Sequence, residues 1–330
     1  MSHSKLPLPR RAALTALGLA AASLAAPAFA QASYPSKPIR MLVGYAPGGS
    51  VDIMARIAAD ILSKHLEGTV VVDNVPGAAG VVAAQRTATS PADGYTLLLG
   101  SSNELAATKF VNPAQKYDPA RDFTPIGITG SSPVVFVAGP HVPAKTLEEA
   151  LALAKAHPGK YSYGSSGVGS VLHFAGELLK QRAQVQLNHI PYRGTAALTS
   201  DLVGGTLDFG MLTPTAAIPF IQSGRVHPLS VTAATRLPSL PQVPTMAETP
   251  ALKGYVMEGW FGVVAPRNLP ADIAQKLSQA LHKGLLEPEF RKRIDNAGVV
   301  PPKGNEDLSA LLQADLKKYG ELVQFADMKQ

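Results

Sequence analysis

A short apolar strand that breaks into a glycine turn and opens at once into a helix occurs in both halves of this sequence, and no other feature restricts the fold as strongly. The first copy is Ile39–Val43, then Gly44-Tyr45-Ala46-Pro47-Gly48-Gly49-Ser50, then a helix whose apolar residues Ile53, Met54, Ile57, Ala58, Ile61 and Leu62 recur at helical spacing. The second is Tyr161-Ser162-Tyr163, then Gly164-Ser165-Ser166-Gly167-Val168-Gly169-Ser170, then a helix carrying Val171, Leu172, Ala175, Leu178 and Leu179 on one face. Strand–turn–helix units repeated along a chain build α/β layers with mostly parallel sheets. Each turn leaves unpaired amides at a helix start, where the helix dipole favours negative charge. A pair of such turns in separate halves predicts a grip on a small anion from two sides.

The first residues form an export signal. Lys5, Arg10 and Arg11 precede the apolar run Ala12 to Ala26, and Ala28-Phe29-Ala30 is a small-x-small cleavage site. This predicts a signal peptide over 1–30, cleavage after Ala30 and a periplasmic mature chain. Removing those three cations leaves 27 basic against 24 acidic residues, a mild balance without a Lys/Arg block. Nucleic acid is therefore excluded as a partner. With no cysteine in the chain, thiolate metal sites, cysteine nucleophiles and disulfides are ruled out, so the fold must rest on its cores.

The order of elements predicts two α/β lobes joined twice: lobe 1 from 31–133 and 257–330, lobe 2 from 134–256. Residues 101–129 read as an irregular segment wrapping the surface. Two crossings make a hinge, and ligands of open α/β sheets bind beyond the carboxyl ends of strands, where the Gly/Ser turns fall.

Rival chemistries find little support. The nucleophile elbow G-x-S-x-G fails at Gly164-Ser165-Ser166-Gly167-Val168 and at Gly100-Ser101-Ser102-Asn103-Glu104, which argues against a secreted hydrolase. His173 and Glu177 lie four apart without a third ligand, so neither a metal nor a cofactor is expected. Asp52 and Arg56 read as an ordinary surface or interdomain pair. Tyr192, Phe209 and Trp260 read first as core aromatics, with Tyr45, inside the first turn, as the exception.

The chain resembles the Bug family, the periplasmic solute receptors of tripartite tricarboxylate transporters. The resemblance is carried by Tyr45-Ala46-Pro47-Gly48-Gly49-Ser50-Val51-Asp52, Val72-Asp73-Asn74, Pro76-Gly77-Ala78-Ala79-Gly80, Asp93-Gly94-Tyr95-Thr96-Leu97, Pro191-Tyr192-Arg193-Gly194 and Gly259-Trp260-Phe261-Gly262. It implies a type II periplasmic binding protein fold that closes on a small carboxylate for uptake, with transporter membrane subunits as partners of a monomeric, non-enzymatic receptor. A ligand-sensing adaptor for a membrane signalling protein would use the same pocket. By position, the resemblance assigns ligand contacts to Tyr45, Gly48, Gly49 and Ser50, to Ser101, Ser102 and Asn103, and to Ser165, Ser166, Gly167 and Gly169. Thr195, Ala196 and Thr213 would line the far side. Glu104 departs from the family pattern; facing inward, it would disfavour a polyanion and favour a ligand with an amine or a neutral end.

Overall fold

The computed structural model describes residues 34–192 and 194–326, so the expected export signal lies outside the described residues. Lys37–Gln330 forms one compact unit and Met1–Ser36 another, of which only Tyr34 to Ser36 are described.

The larger unit is built on two five-stranded sheets. The first has the order β2-β1-β3-β10-β4, from β1 (Ile39–Val43), β2 (Val70–Asn74), β3 (Thr96–Ser101), β4 (Phe123–Pro133) and β10 (Glu258–Pro266). The second has the order β7-β6-β8-β5-β9, from β5 (Val135–Ala138), β6 (Ser162–Ser165), β7 (Asn188–Pro191), β8 (Phe209–Leu212) and β9 (His227–Val231). The two are copies of one plan. In each, parallel pairing joins the first three strands, and one reversed strand lies between the third and the edge. The reversed strands are β10, antiparallel to β3 and β4, and β5, antiparallel to β8 and β9. Both sheets are thus mixed, because the strand arriving from the other lobe must enter from the opposite end.

Helices cover these sheets: α1 (Ser50–Leu66), α2 (Val81–Ala88), α4 (Leu147–Ala156), α5 (Val171–Ala183), α6 (Thr195–Val203), α7 (Pro214–Gln222), α8 (Ala271–Leu285), α9 (Pro288–Asn296) and α10 (Leu308–Phe325). The stretch expected to be irregular is ordered. A π-helical turn over Asn103–Ala107 continues into α3 (Thr108–Val111), and Phe123–Pro133 is the longest strand. Its prolines and glycines hide the strand signal, and its broken burial pattern comes from irregular pairing with β10.

The crossings are stitched together. Val134 N–H donates to Thr232 Oγ1 at 2.7 Å, Thr232 N–H to Val134 O at 2.9 Å, and Met257 N–H to Thr232 O at 3.1 Å. The carboxy-terminal helix α10 spans the same side, with Tyr319 stacked on Phe174 of α5 at 4.5 Å between ring centres.

Candidate functional site

A cavity of about 620 Å³ lies where the strand ends of both sheets meet, within the usual range for small-molecule sites. Four helices begin on it: α1 through Gly49, Ser50 and Val51, α5 through Val171 and Leu172, α6 through Gly194 and Thr195, and α7 through Thr213, Thr215 and Ala216. No charged side chain of a described residue lines it. Its positive character comes from backbone amides and helix dipoles. A smaller depression of about 280 Å³ beside Ile126, Ile128 and α8 has no such helix starts.

The first turn is held open by its neighbours. Gly48 has φ +87°, a conformation that favours glycine, and its N–H donates to Asp52 Oδ2 at 2.9 Å. Gly49, at the helix start, receives no side-chain cap, so the amides that follow are left facing the cavity. The expected Asp52–Arg56 pair is present, with Arg56 exposed, but Asp52 itself is buried and acts as a lock on the turn. It also accepts from Arg56 and from Asn74 Nδ2. Burial alone would raise its pKa, but the Arg56, Gly48 and Asn74 hydrogen bonds hold the carboxyl below the ordinary aspartate value. Asn74 Nδ2 reaches Tyr45 O as well, at 3.0 Å, so one amide fixes both ends of the turn.

Glu104 lies fully buried beneath this turn and outside the cavity lining. Its carboxyl accepts from Ser101 N–H at 2.8 Å, Ser101 Oγ at 2.5 Å and the Tyr45 hydroxyl at 2.8 Å. Burial pushes its pKa up despite those hydrogen bonds. The Tyr45 hydroxyl also lies within reach of Ala79 O, at 3.0 Å, so it ties the turn to both Glu104 and the Ala79 backbone. The same burial, then the nearby Glu104, keeps the Tyr45 phenol well above its ordinary value. The expectation for Glu104 is conditional on its facing the cleft, and that condition is not met: the carboxyl lies behind Tyr45 and Ser101, outside the cavity lining, where it shapes the turn.

This packing makes Gly80 a sensitive position. It has φ +91°, and a Cβ there would sit 2.7 Å from Glu104 Cδ. Gly80→Ala is expected to cost roughly 2–4 kcal/mol, from left-handed backbone strain plus overpacking. A urea midpoint unchanged from wild type would refute this.

The second turn is built on a stacked pair of histidines, His173 buried and His189 half-buried. His173 and His189 stack at 3.7 Å and 10°. His173 Nδ1 accepts from Gly169 N–H at 3.2 Å, and His189 Nε2 lies 2.7 Å from Ser165 Oγ. Burial first, then Lys180, lowers both; the His173 pKa falls to about 3, with His189 adding to its shift, and that of His189 to about 4. The neutral rings therefore serve as hydrogen-bond partners to the turn. Ser165 faces inward and its hydroxyl is occupied within the turn, unlike an exposed nucleophile.

Of the residues expected from sequence, the cavity is lined by Tyr45, Gly48, Gly49, Ser50, Ser101, Ser102, Asn103, Ser166, Thr195 and Thr213. Ser165, Gly167, Gly169 and Ala196 are not in its lining. Ser165 and Gly167 are engaged within the turn, Gly169 meets Val111 of α3, and Ala196 faces a neighbouring groove. Sequence reading considered Trp260 for the cleft but missed the rest of the crossing backbone, Ser132 to Val134 with Gly259 and Phe261, which also lines the cavity. Trp260 belongs to it, with its indole N–H donating to Asp315 Oδ2 at 2.7 Å. No periodic signal marks such residues, because their role comes from where the chain crosses.

Two mixed sheets of matching order, a double crossing and a cavity ringed by helix starts define a two-lobed solute-binding receptor. The model of the tripartite tricarboxylate transporter family receptor matches residues 54–328, and the chain belongs to that family. It is a receptor and not an enzyme. Protein BugT of Bordetella pertussis (strain Tohama I) is 34% identical over 309 residues, 93% of this chain and 94% of BugT. Among solved structures, Rpa4515 of R. palustris with adipate is 30% identical, with a TM-score of 0.77, over 89% of this chain and 98% of that one. MatC from Rhodopseudomonas palustris with bound malate is 29% identical, with a TM-score of 0.74, over 88% and 100%.

Proposed function

We propose that this receptor captures a small carboxylate between its lobes and delivers it to a tripartite transporter in the membrane. The observation that carries the reading is the convergence of four helix starts on one cavity whose described lining has no charged side chain. A carboxylate would complete amides that the open turns leave unpaired. Each charge-assisted bond is worth roughly 1.5–3 kcal/mol, so a few offset the cost of ordering two lobes. Relatives crystallised with adipate and with malate support an acid as the solute. The chain is read as exported, with cleavage after Ala30, and as acting alone as a monomer. Lobe 1 is assigned to 31–133 and 257–330, lobe 2 to 134–256. The ligand contacts are assigned to Tyr45, Gly48, Gly49, Ser50, Ser101, Ser102, Asn103, Ser166, Thr195 and Thr213, with Ser165, Gly167, Gly169 and Ala196 supporting the loops behind them.

The test is a thermal-shift and calorimetry panel of carboxylic acids on refolded, ligand-stripped protein. An acid at a hundred times its dissociation constant should stabilise by about 2.7 kcal/mol. Trp260, the only tryptophan, lines the cavity and should report binding by a change in fluorescence. Matching amides and alcohols that bind as tightly as the acids would refute an anion site.

A further inference from the structure

A second space adjoins the cavity. A groove of about 490 Å³ runs between α6 and α7, and Thr195, Thr215 and Ala216 line both the groove and the cavity. The two spaces therefore adjoin at the starts of both helices. From Thr195 to Val203 the groove follows α6 for about 12 Å.

Its walls make little demand for hydrogen bonds. Thr199 donates its hydroxyl to Thr195 O at 2.6 Å, which occupies that group within the helix. Val203, Pro219 and Phe220 supply apolar surface, and Val203 and Phe220 pack against the core of this lobe. Arg225 is placed with its guanidinium 5.4 Å from the Phe220 ring centre, and it makes no ion pair among the described residues. A ligand that fills this path needs a polar head at the cavity and an apolar body beyond it.

We propose that the groove between α6 and α7 is an extension subsite that takes the apolar body of an elongated monocarboxylate whose acid group sits in the central cavity. This rests on the carboxylate reading above. The cavity alone would serve short acids; the groove adds a length-dependent gain from apolar contact along Val203, Pro219 and Phe220.

The experiment is a straight-chain series from butanoate to decanoate, below micelle-forming concentrations, titrated calorimetrically into ligand-stripped mature protein. Affinity should rise at least about tenfold across the series, with one acid per chain. Ser200→Trp and Val203→Trp both lie along the groove and outside the cavity lining. Either should remove the gain with length while leaving butanoate affinity as it was, and two positions guard against one variant failing to fold. Decanoate binding no tighter than butanoate in the wild type would overturn the subsite. So would plugged variants that lose both acids equally, or neither. If butanoate, decanoate, malate and adipate all fail to bind, the carboxylate reading itself falls, and with it the subsite.

Discussion

Gly49→Trp is expected to lower affinity for the bound acid by at least about 100-fold, or about 2.7 kcal/mol, while leaving the unliganded fold nearly as stable as before. The two halves of that expectation come from different observations. Gly49 has φ −78°, an ordinary value for any residue, and the nearest atom to an added Cβ is Ala46 O at 3.8 Å. The backbone therefore accepts a side chain. Gly49 nonetheless lines the cavity at the start of α1, where an indole would occupy the space in front of the open amides. Calorimetry with the best acid, alongside urea unfolding without it, separates the effects. Binding within threefold of wild type would remove the first turn from the site.

Acid should loosen the second lobe. His173, buried, and His189, half-buried, are neutral in the fold, with pKa values lowered to about 3 and about 4, whereas both take a proton near pH 6.5 once unfolded. The stability they support is thus fully present above pH 6.5 and is lost as pH falls toward 4. Each histidine contributes up to about 1.4 kcal/mol per pH unit, giving roughly 3–5 kcal/mol between pH 7 and 4.5. Glu104 works in the opposite sense. Its raised pKa means that the folded state holds a proton more readily, so its effect on stability is most favourable at low pH and fades as pH rises through the folded value. The histidine effect is isolated by comparison with the double variant His173→Asn, His189→Gln, which offers amide oxygens near the same hydrogen-bond partners. Urea midpoints between pH 7 and 4.5 should fall steeply in wild type and more gently in the variant. Parallel slopes would refute the assignment.

Much of the fold was legible because periodicity survives wherever elements are regular. Ile39–Val43 and the helix from Ser50 were read close to their observed limits, and the double crossing followed from the order of elements. Legibility failed where pairing, not propensity, decides. Phe123–Pro133 carries two prolines and two glycines, yet it pairs with β10 along its length. At the site, the glycine and serine positions announced their turns through chemistry that depends on local backbone. The inward aim of Ser165 and the depth of Glu104 and Asp52 depend on partners far away in sequence, Asn74, His189 and Tyr45 among them. One sequence does not reveal such partners.

The reversed strand β10 also sets an order of assembly. β4 pairs only with β10 within its sheet, and β10 emerges from synthesis after every strand of the second sheet. While the chain is being made, the amino-terminal sheet must wait with a missing rung and an orphaned edge, whereas the other can close as soon as Val231 has appeared. Closure of the first sheet is therefore a late, long-range step, and the partly made chain before it carries an unpaired strand edge.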